Sequence, residues 1–390
     1  MTVVAPRSTA LAPVVLLLTG IGWATAAQGG SRAVDLALLS ALLLAALATS
    51  RVGVAELLRA VRSRPALSAG ALVVCTAVVG LAMAGPGTAA LRLPVLVLLV
   101  AVAAVVVDRM SADERVVLLA GVVVIGVVVA VSAVLGWFSA LAAGAELPIR
   151  AATLLGYPNA AGAVMLAAGA ACVHLWRTGR VPRVWGCVGV GVLGAGVLAT
   201  GSRLALGVAL AGLVVAAWRA RSRWGVVAAA GAALPVVGLL AQRFATSQNE
   251  RVYLWGAALR EVVSGPVTGR GPAPVLVPGL PDAKPTTHAH NELLQLGLEY
   301  GTVGMVLGLV CLGTVVALLV RRAVVDPVLL LGCAALGGLG LTDFALRFPA
   351  VALVLTVLVV STWRPATPGP DGSEPISAGK GVVTRFRAPL

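Results

Sequence analysis

The sequence predicts an all-α polytopic membrane protein with about twelve transmembrane helices and one long external loop. Three observations predict it. Of its 390 residues, 59% are hydrophobic and 11% charged, whereas a soluble domain carries about 25% charged residues. So apolar a chain cannot cover itself with polar surface. Apolar runs of roughly 17 to 25 residues, each able to cross a bilayer, recur along most of the chain. The basic residues of the short connecting segments alternate from one side to the other.

Twelve runs qualify in order: about 11–27, 33–49, 67–84, 91–107, 116–138, 157–175, 184–200, 204–218, 224–241, 293–320, 327–342 and 348–363. The first also has features of a secretory signal peptide, with Ala24-Thr25-Ala26 resembling a cleavage site. The second run follows at once, which favours a retained helix. Orientation comes from the arginines. With the N-terminus in the cytoplasm, inside segments hold Arg7, then Arg51, Arg59, Arg62 and Arg64, then Arg109 and Arg115. Arg177, Arg180 and Arg183 follow, then Arg219, Arg221 and Arg223, then Arg321 and Arg322, and finally Arg364, Lys380, Arg385 and Arg387. Both termini are then cytoplasmic and the long loop at 242–292 is external. Residues 1–364 form one transmembrane domain. The tail 365–390, rich in Pro, Gly and Ser, has no apolar periodicity and reads as a disordered cytoplasmic end.

The net charge of +14 is not a nucleic-acid signal on this apolar background; it marks cytoplasmic loops beside membrane lipid. Cys75, Cys172, Cys187, Cys311 and Cys333 all lie in apolar runs without metal-ligand spacing and read as small core residues. Gly189-Val190-Gly191-Val192-Leu193-Gly194 matches a dinucleotide fingerprint but lies inside an apolar span, where small residues serve helix packing. The prolines at 272, 274, 278, 281 and 285 are irregularly spaced and suit a rigid surface loop.

The polar chemistry gathers in a few places. Arg203 follows "ATGS" in a tight turn, in the first turn of a helix whose N-cap is Ser202. A cation there opposes the helix dipole and the positive-inside trend, and a bound anion would offset both; snorkelling to lipid headgroups is the alternative. Arg251 opens "NERVYLWGAALREVV", where Val252, Trp255, Leu259 and Val262 recur at helical spacing, as in an amphipathic surface helix. Arg150 and Arg347 also precede spans on the external side. The stretch "PTTHAHNELLQLGLEYG" holds His288 and His290, two of three histidines in the chain. If helical throughout, His288, Glu292, Gln295 and Glu299 form one stripe, which must face protein or a water-filled cavity. His290 then points away from His288 unless the helix starts later. A metal bound by His-x-His lacks an evident third ligand. Asp35, Glu299 and Asp343 sit near span ends, whereas a transporter usually places ionisable groups deep within its spans.

"GYPNAAG", "TGSR", "ERVYLWGAAL", "GRGP" and "HAHNELLQLGLEYGTVG" stand in the order found in the O-antigen ligase family, which includes related polysaccharide polymerases. The chain resembles that family over about residues 150–350. The resemblance implies a GT-C-like fold in a bacterial inner membrane. It also implies a metal-independent, inverting glycosyltransferase without a cofactor, using a lipid-linked glycan donor on undecaprenyl pyrophosphate. The acceptor would be a hydroxyl on a sugar- or lipid-bearing molecule at the outer face. By motif, Arg203 and Arg251 match the family's functional arginines and His290 its catalytic histidine, with His288 as second candidate. Arg150, Asn159, Asn291, Glu292 and Arg347 become candidate substrate-binding residues. A polymerase of the same family and a small-solute transporter are the alternatives. The sequence does not define sugar, acceptor or oligomeric state.

Overall fold

The structure is a computed structural model. It describes residues 11–28, 32–50, 88–145, 151, 153–219, 250–267, 269, 289–321, 327–343 and 345–362, with a few isolated helical positions between 227 and 238. Among these residues every regular element is helical. They are α1 (Ala12–Ala26), α2 (Ala33–Thr49), α3 (Thr88–Arg109), α4 (Ala112–Ala142), α5 (Pro158–Arg177), α6 (Arg183–Thr200), α7 (Arg203–Arg219), α8 (Glu250–Ser264), α9 (Glu292–Arg321), α10 (Pro327–Thr342), a short 3-10 turn (Ala345–Arg347) and α11 (Pro349–Ser361). These match ten of the apolar runs within a few residues, and α8 lies inside the long loop. The expected spans at 67–84 and 224–241 lie outside the described residues or largely so, as does the tail.

α5 is the axis of the bundle. Its sequence is small and apolar almost all round, so α4, α6, α7, α10 and α11 pack around it. Small residues set the approach. A Cβ on Gly189 would sit 2.9 Å from Cys172 Sγ, and one on Gly196 would meet Ala130 and Met165. The glycine-rich fingerprint therefore lies inside α6, where Gly189 serves helix contact while a Cβ on Gly191 or Gly194 would meet nothing within 4 Å. α1, α2, α3 and α11 complete the bundle, and Val14, Leu17, Ile21 and Ala24 of α1 are fully buried in the common core. α4, α5, α6 and α9 contain stretches long and apolar enough to cross a bilayer, judged on the described residues. At one end of the bundle Arg115 caps α3 through the carbonyls of Val107 and Asp108, and Arg180 pairs with Asp113. At the other end, buried Asp35 ties the α1–α2 turn to Trp23 and Arg32.

α9 differs from the expected span at 293–320. A straight helix would separate Leu293 from Gly308 by about 22 Å. Instead a Cβ on Gly308 would lie 3.1 Å from the Leu293 side chain and 2.7 Å from that of Leu296. The chain doubles back at Gly301, whose backbone (φ 67, ψ −166) is not helical and is open essentially to glycine alone. The turn at Pro266–Gly269 seals the reversal. Gly269 and Gly301 pack backbone to backbone, with Val303 N–H donating to Val267 O at 3.4 Å. Residues 292–300 are thus a short helix folded against the helix that follows, rather than the first turns of one long span.

α8 also differs in detail. Its buried stripe is Leu254, Ala257, Ala258 and Val262, facing Leu298 and Ala289, while Leu259 is 46% exposed. The expected apolar face containing Leu259 is rotated. The reason is packing on α9, which selects the stripe 254–258–262 at four-residue spacing.

Candidate functional site

Five helix ends and one 3-10 turn converge at the end of the bundle opposite Arg115. The centre is Asp343, just past the C-terminus of α10, with its side chain fully buried. Four groups donate to it. His290 Nδ1 lies 3.1 Å from Oδ1. On Oδ2, the Tyr157 hydroxyl donates at 2.5 Å, Asn159 Nδ2 donates in very close contact, and Arg251 Nη2 stands at 3.4 Å. A carboxylate has about four acceptor positions, so Asp343 is filled. Burial alone would raise its carboxyl. The hydrogen bonds from His290 and Tyr157, with the Arg251 charge, outweigh that and hold it at about 2, below its ordinary 3.8. Burial, and then the Asp343 charge, push the Tyr157 hydroxyl up, so it remains a donor.

An ionised carboxylate only accepts. His290 therefore carries its proton on Nδ1 when neutral, which makes Nε2 the acceptor nitrogen of the ring. His290 and Arg251 side chains are 27% and 35% exposed, against none for Asp343. The imidazole and the guanidinium face outward, and the carboxylate stands behind them.

Local sequence explains each placement. Pro158 starts α5 and holds Tyr157 extended as its N-cap, which puts Tyr157 and Asn159 side by side on Asp343. Asn291 caps α9, its Oδ1 accepting from Leu293 N and Leu294 N. α9 therefore begins at Glu292, so His290 lies before the helix in a left-handed conformation (φ 50). Glu292, Gln295 and Glu299 do form one stripe, and it faces Arg347. Arg347 Nε donates to Glu292 at 3.0 Å and Nη1 to Glu299 at 2.8 Å. Arg203 is the first residue of α7. Gly201 (φ 57) makes the turn and Ser202 Oγ accepts from Ala205 N at 3.4 Å, as an N-cap should. That turn packs on Gly162, one helical turn after Asn159. Arg203 thus sits at the same end of the bundle. His288 and Arg150 lie outside the described residues.

The structure brings together Asn159, Arg251, His290, Asn291, Glu292 and Arg347, and adds Asp343, Tyr157, Gln295, Glu299 and Trp255 as their partners. Asp343 is the residue sequence reasoning undervalues. Its signal is a carboxylate between two apolar runs, expensive unless paired, in a region otherwise carrying arginine. Among the described residues no three His, Cys, Asp or Glu side chains are grouped to hold a metal ion.

The family model described as O-Antigen ligase matches residues 188–309. The match finds the family resemblance seen in the motifs, over a stretch that contains Arg203, Arg251, His290, Asn291 and Glu292. Tyr157, Asn159, Asp343 and Arg347 come from outside it. No curated protein matches the chain. The apolar helices and this similarity describe a multi-pass membrane protein, similar over that stretch to O-antigen ligases.

Proposed function

We propose that the chain is a membrane glycosyltransferase, which moves a glycan from undecaprenyl pyrophosphate to an acceptor hydroxyl at the outer face of the plasma membrane. The observation that carries it is the His290–Asp343–Arg251 group. It joins an oriented imidazole to a cation, beside the Arg203 turn, in a chain similar to O-antigen ligases.

Asp343 holds the Nδ1–H of His290, and Nε2 takes the proton of the acceptor hydroxyl. The freed oxygen attacks the anomeric carbon of the donor sugar. The bond from that carbon to the pyrophosphate oxygen breaks, and the electron pair leaves with the lipid pyrophosphate. Direct displacement inverts the anomeric carbon. Arg251 and Arg203 stabilise the charge that develops on the leaving oxygen. Asn291 serves the base by capping the helix after it. His288 and Arg150 are assigned to the same outer site by motif and position. The chemistry needs no metal, because arginines supply the positive charge and histidine the base. Ligase and polymerase share these steps and differ in the acceptor.

The test is transfer in vitro from lipid-linked glycan extracted from the parent cells. General-base catalysis contributes about 100- to 10,000-fold. His290→Ala should therefore lose most transfer at unchanged membrane abundance, with His288→Ala losing less and EDTA having no effect. A fully active His290→Ala protein overturns the mechanism, and strong inhibition by EDTA points to a metal enzyme. Orientation has its own test. Ala283→Cys should react with an impermeant thiol reagent in intact cells and Ser222→Cys should not; the reverse pattern places the site inside.

A further inference from the structure

His290 has an uncommon backbone for a residue with a side chain. A left-handed φ at such a residue persists only where its surroundings over-determine it. Here they do so from both sides. The peptide before His290 is held by Gln295, whose Oε1 accepts from the buried N–H of Ala289 at 2.8 Å. The peptide after it is held by Trp255, whose indole Nε1 donates to the His290 carbonyl at 3.2 Å. Gln295 is not free to turn, because its Nε2 donates to Glu299 Oε1 at 2.8 Å, and the same oxygen accepts from Arg347 Nη1. A chain of hydrogen bonds thus runs from the 3-10 turn before α11 to the residue preceding the histidine.

We propose that Trp255 and Gln295 are positioning residues that hold the His290 backbone in its left-handed conformation and so aim the imidazole, with Nδ1 on Asp343 and Nε2 outward. Both act on main-chain atoms, and Glu299 with Arg347 stiffens the Gln295 arm. Without either arm the backbone relaxes toward ordinary φ, which swings the ring off Asp343 and lets Nδ1 and Nε2 exchange roles. The proposal rests on His290 acting as the base in the function proposed above.

The test uses Trp255→Phe, which removes the indole N–H and keeps an aromatic ring, and Gln295→Met, which removes the amide and keeps the chain length. Each is made alone and combined with His290→Ala in the full-length purified protein. Each single variant should lower kcat for transfer from the extracted lipid-linked donor about tenfold, the worth of one lost hydrogen bond, with the donor KM unchanged. In the His290→Ala background neither should cause a further loss, since both act through that residue. A second readout is independent of transfer: the rate at which diethyl pyrocarbonate modifies His290, followed by mass spectrometry, should change severalfold in both variants. Parental kcat with a parental labelling rate overturns the clamp. So does an equal loss in the His290→Ala background, which indicates a purely structural role. If His290→Ala itself keeps full transfer, the base assignment fails and labelling decides the clamp: a changed rate sustains it and an unchanged rate ends it.

Discussion

The bundle and the α8–α9 unit are built on different terms. The bundle core runs through α1 to α7, α10 and α11 as one continuous apolar cluster. Among the described residues, the core of the α8–α9 unit is six buried residues, Leu254, Ala257, Ala258, Val262, Ala289 and Leu298. The small unit meets the bundle through Arg251 and His290 on Asp343, and through Glu292 and Glu299 on Arg347. Buried ion pairs gain little over apolar packing, but breaking one by removing a partner is costly. The difference teaches that the site is also a joint. The contact of His290 with Asp343, which orients the ring, is also one of the contacts that hold the two units together.

The comparison breaks most completely at Gly301. A Cβ there would overlap the Val267 carbonyl, and the backbone conformation excludes L side chains. Gly301→Ala should lose transfer entirely and open the α8 helix and residues 289–300 to protease, while the bundle keeps its own protease resistance. Next in size is Asp343→Asn, which removes the charge facing His290 and Arg251. It should cost about a hundredfold in transfer, in line with a few kcal/mol for an orphaned charge partner. Arg251→Gln and Arg203→Gln should each weaken donor use about ten- to a hundredfold, the worth of a charge-assisted contact, and lysine should restore it only partly because it lacks the planar fork.

Two leucines sharpen the contrast. Leu206 is fully buried in the bundle core and Leu298 is buried in the small one. Each change to alanine leaves a cavity costing about 2 to 5 kcal/mol. Leu206→Ala should lower thermal stability with transfer per molecule retained, and Leu298→Ala should do the reverse. Equal behaviour in both assays would mean the two cores unfold as one. Leu259→Ala, on the exposed side of α8, should change neither by more than about 0.5 kcal/mol.

Acid gives the smallest effect expected. A depressed carboxyl contributes its stability in full above its ordinary value and loses it as pH falls through the folded one. For Asp343 that window runs from 3.8 down to about 2. At pH 5 the joint should therefore remain closed, with hydrogen-exchange protection factors at 250–264, corrected for the intrinsic rate at each pH, equal to those at neutral pH.

Helix positions were legible because apolar length and arginine side are properties of single runs. α1, α2, α3, α5, α6, α7, α10 and α11 fall within a few residues of the runs that announce them. Arg203, Arg251 and His290 stood out because charge or imidazole at a helix end beside the membrane is costly and therefore informative. Asp343 and Tyr157 gain their importance from contacts across 186 residues of chain, which no local pattern carries. The reversal in α9 was hidden because hydropathy is blind to direction. Residues 293–320 are mostly apolar, with Gln295 and Glu299 near the start, and the single signal of the turn is one glycine among several.

That reversal has a consequence for how the protein sits in lipid. An unbroken helix over Glu292–Arg321 would be about 45 Å long, against a hydrocarbon thickness of about 30 Å. Folding back at Gly301 leaves residues 302–321 for the crossing, about 30 Å at the helical rise. The nine residues before the glycine are thereby released from hydrophobic matching, and Glu292, Gln295 and Glu299 carry no insertion penalty against the crossing segment. Polar side chains in that short helix can be exchanged for others without changing where the membrane begins.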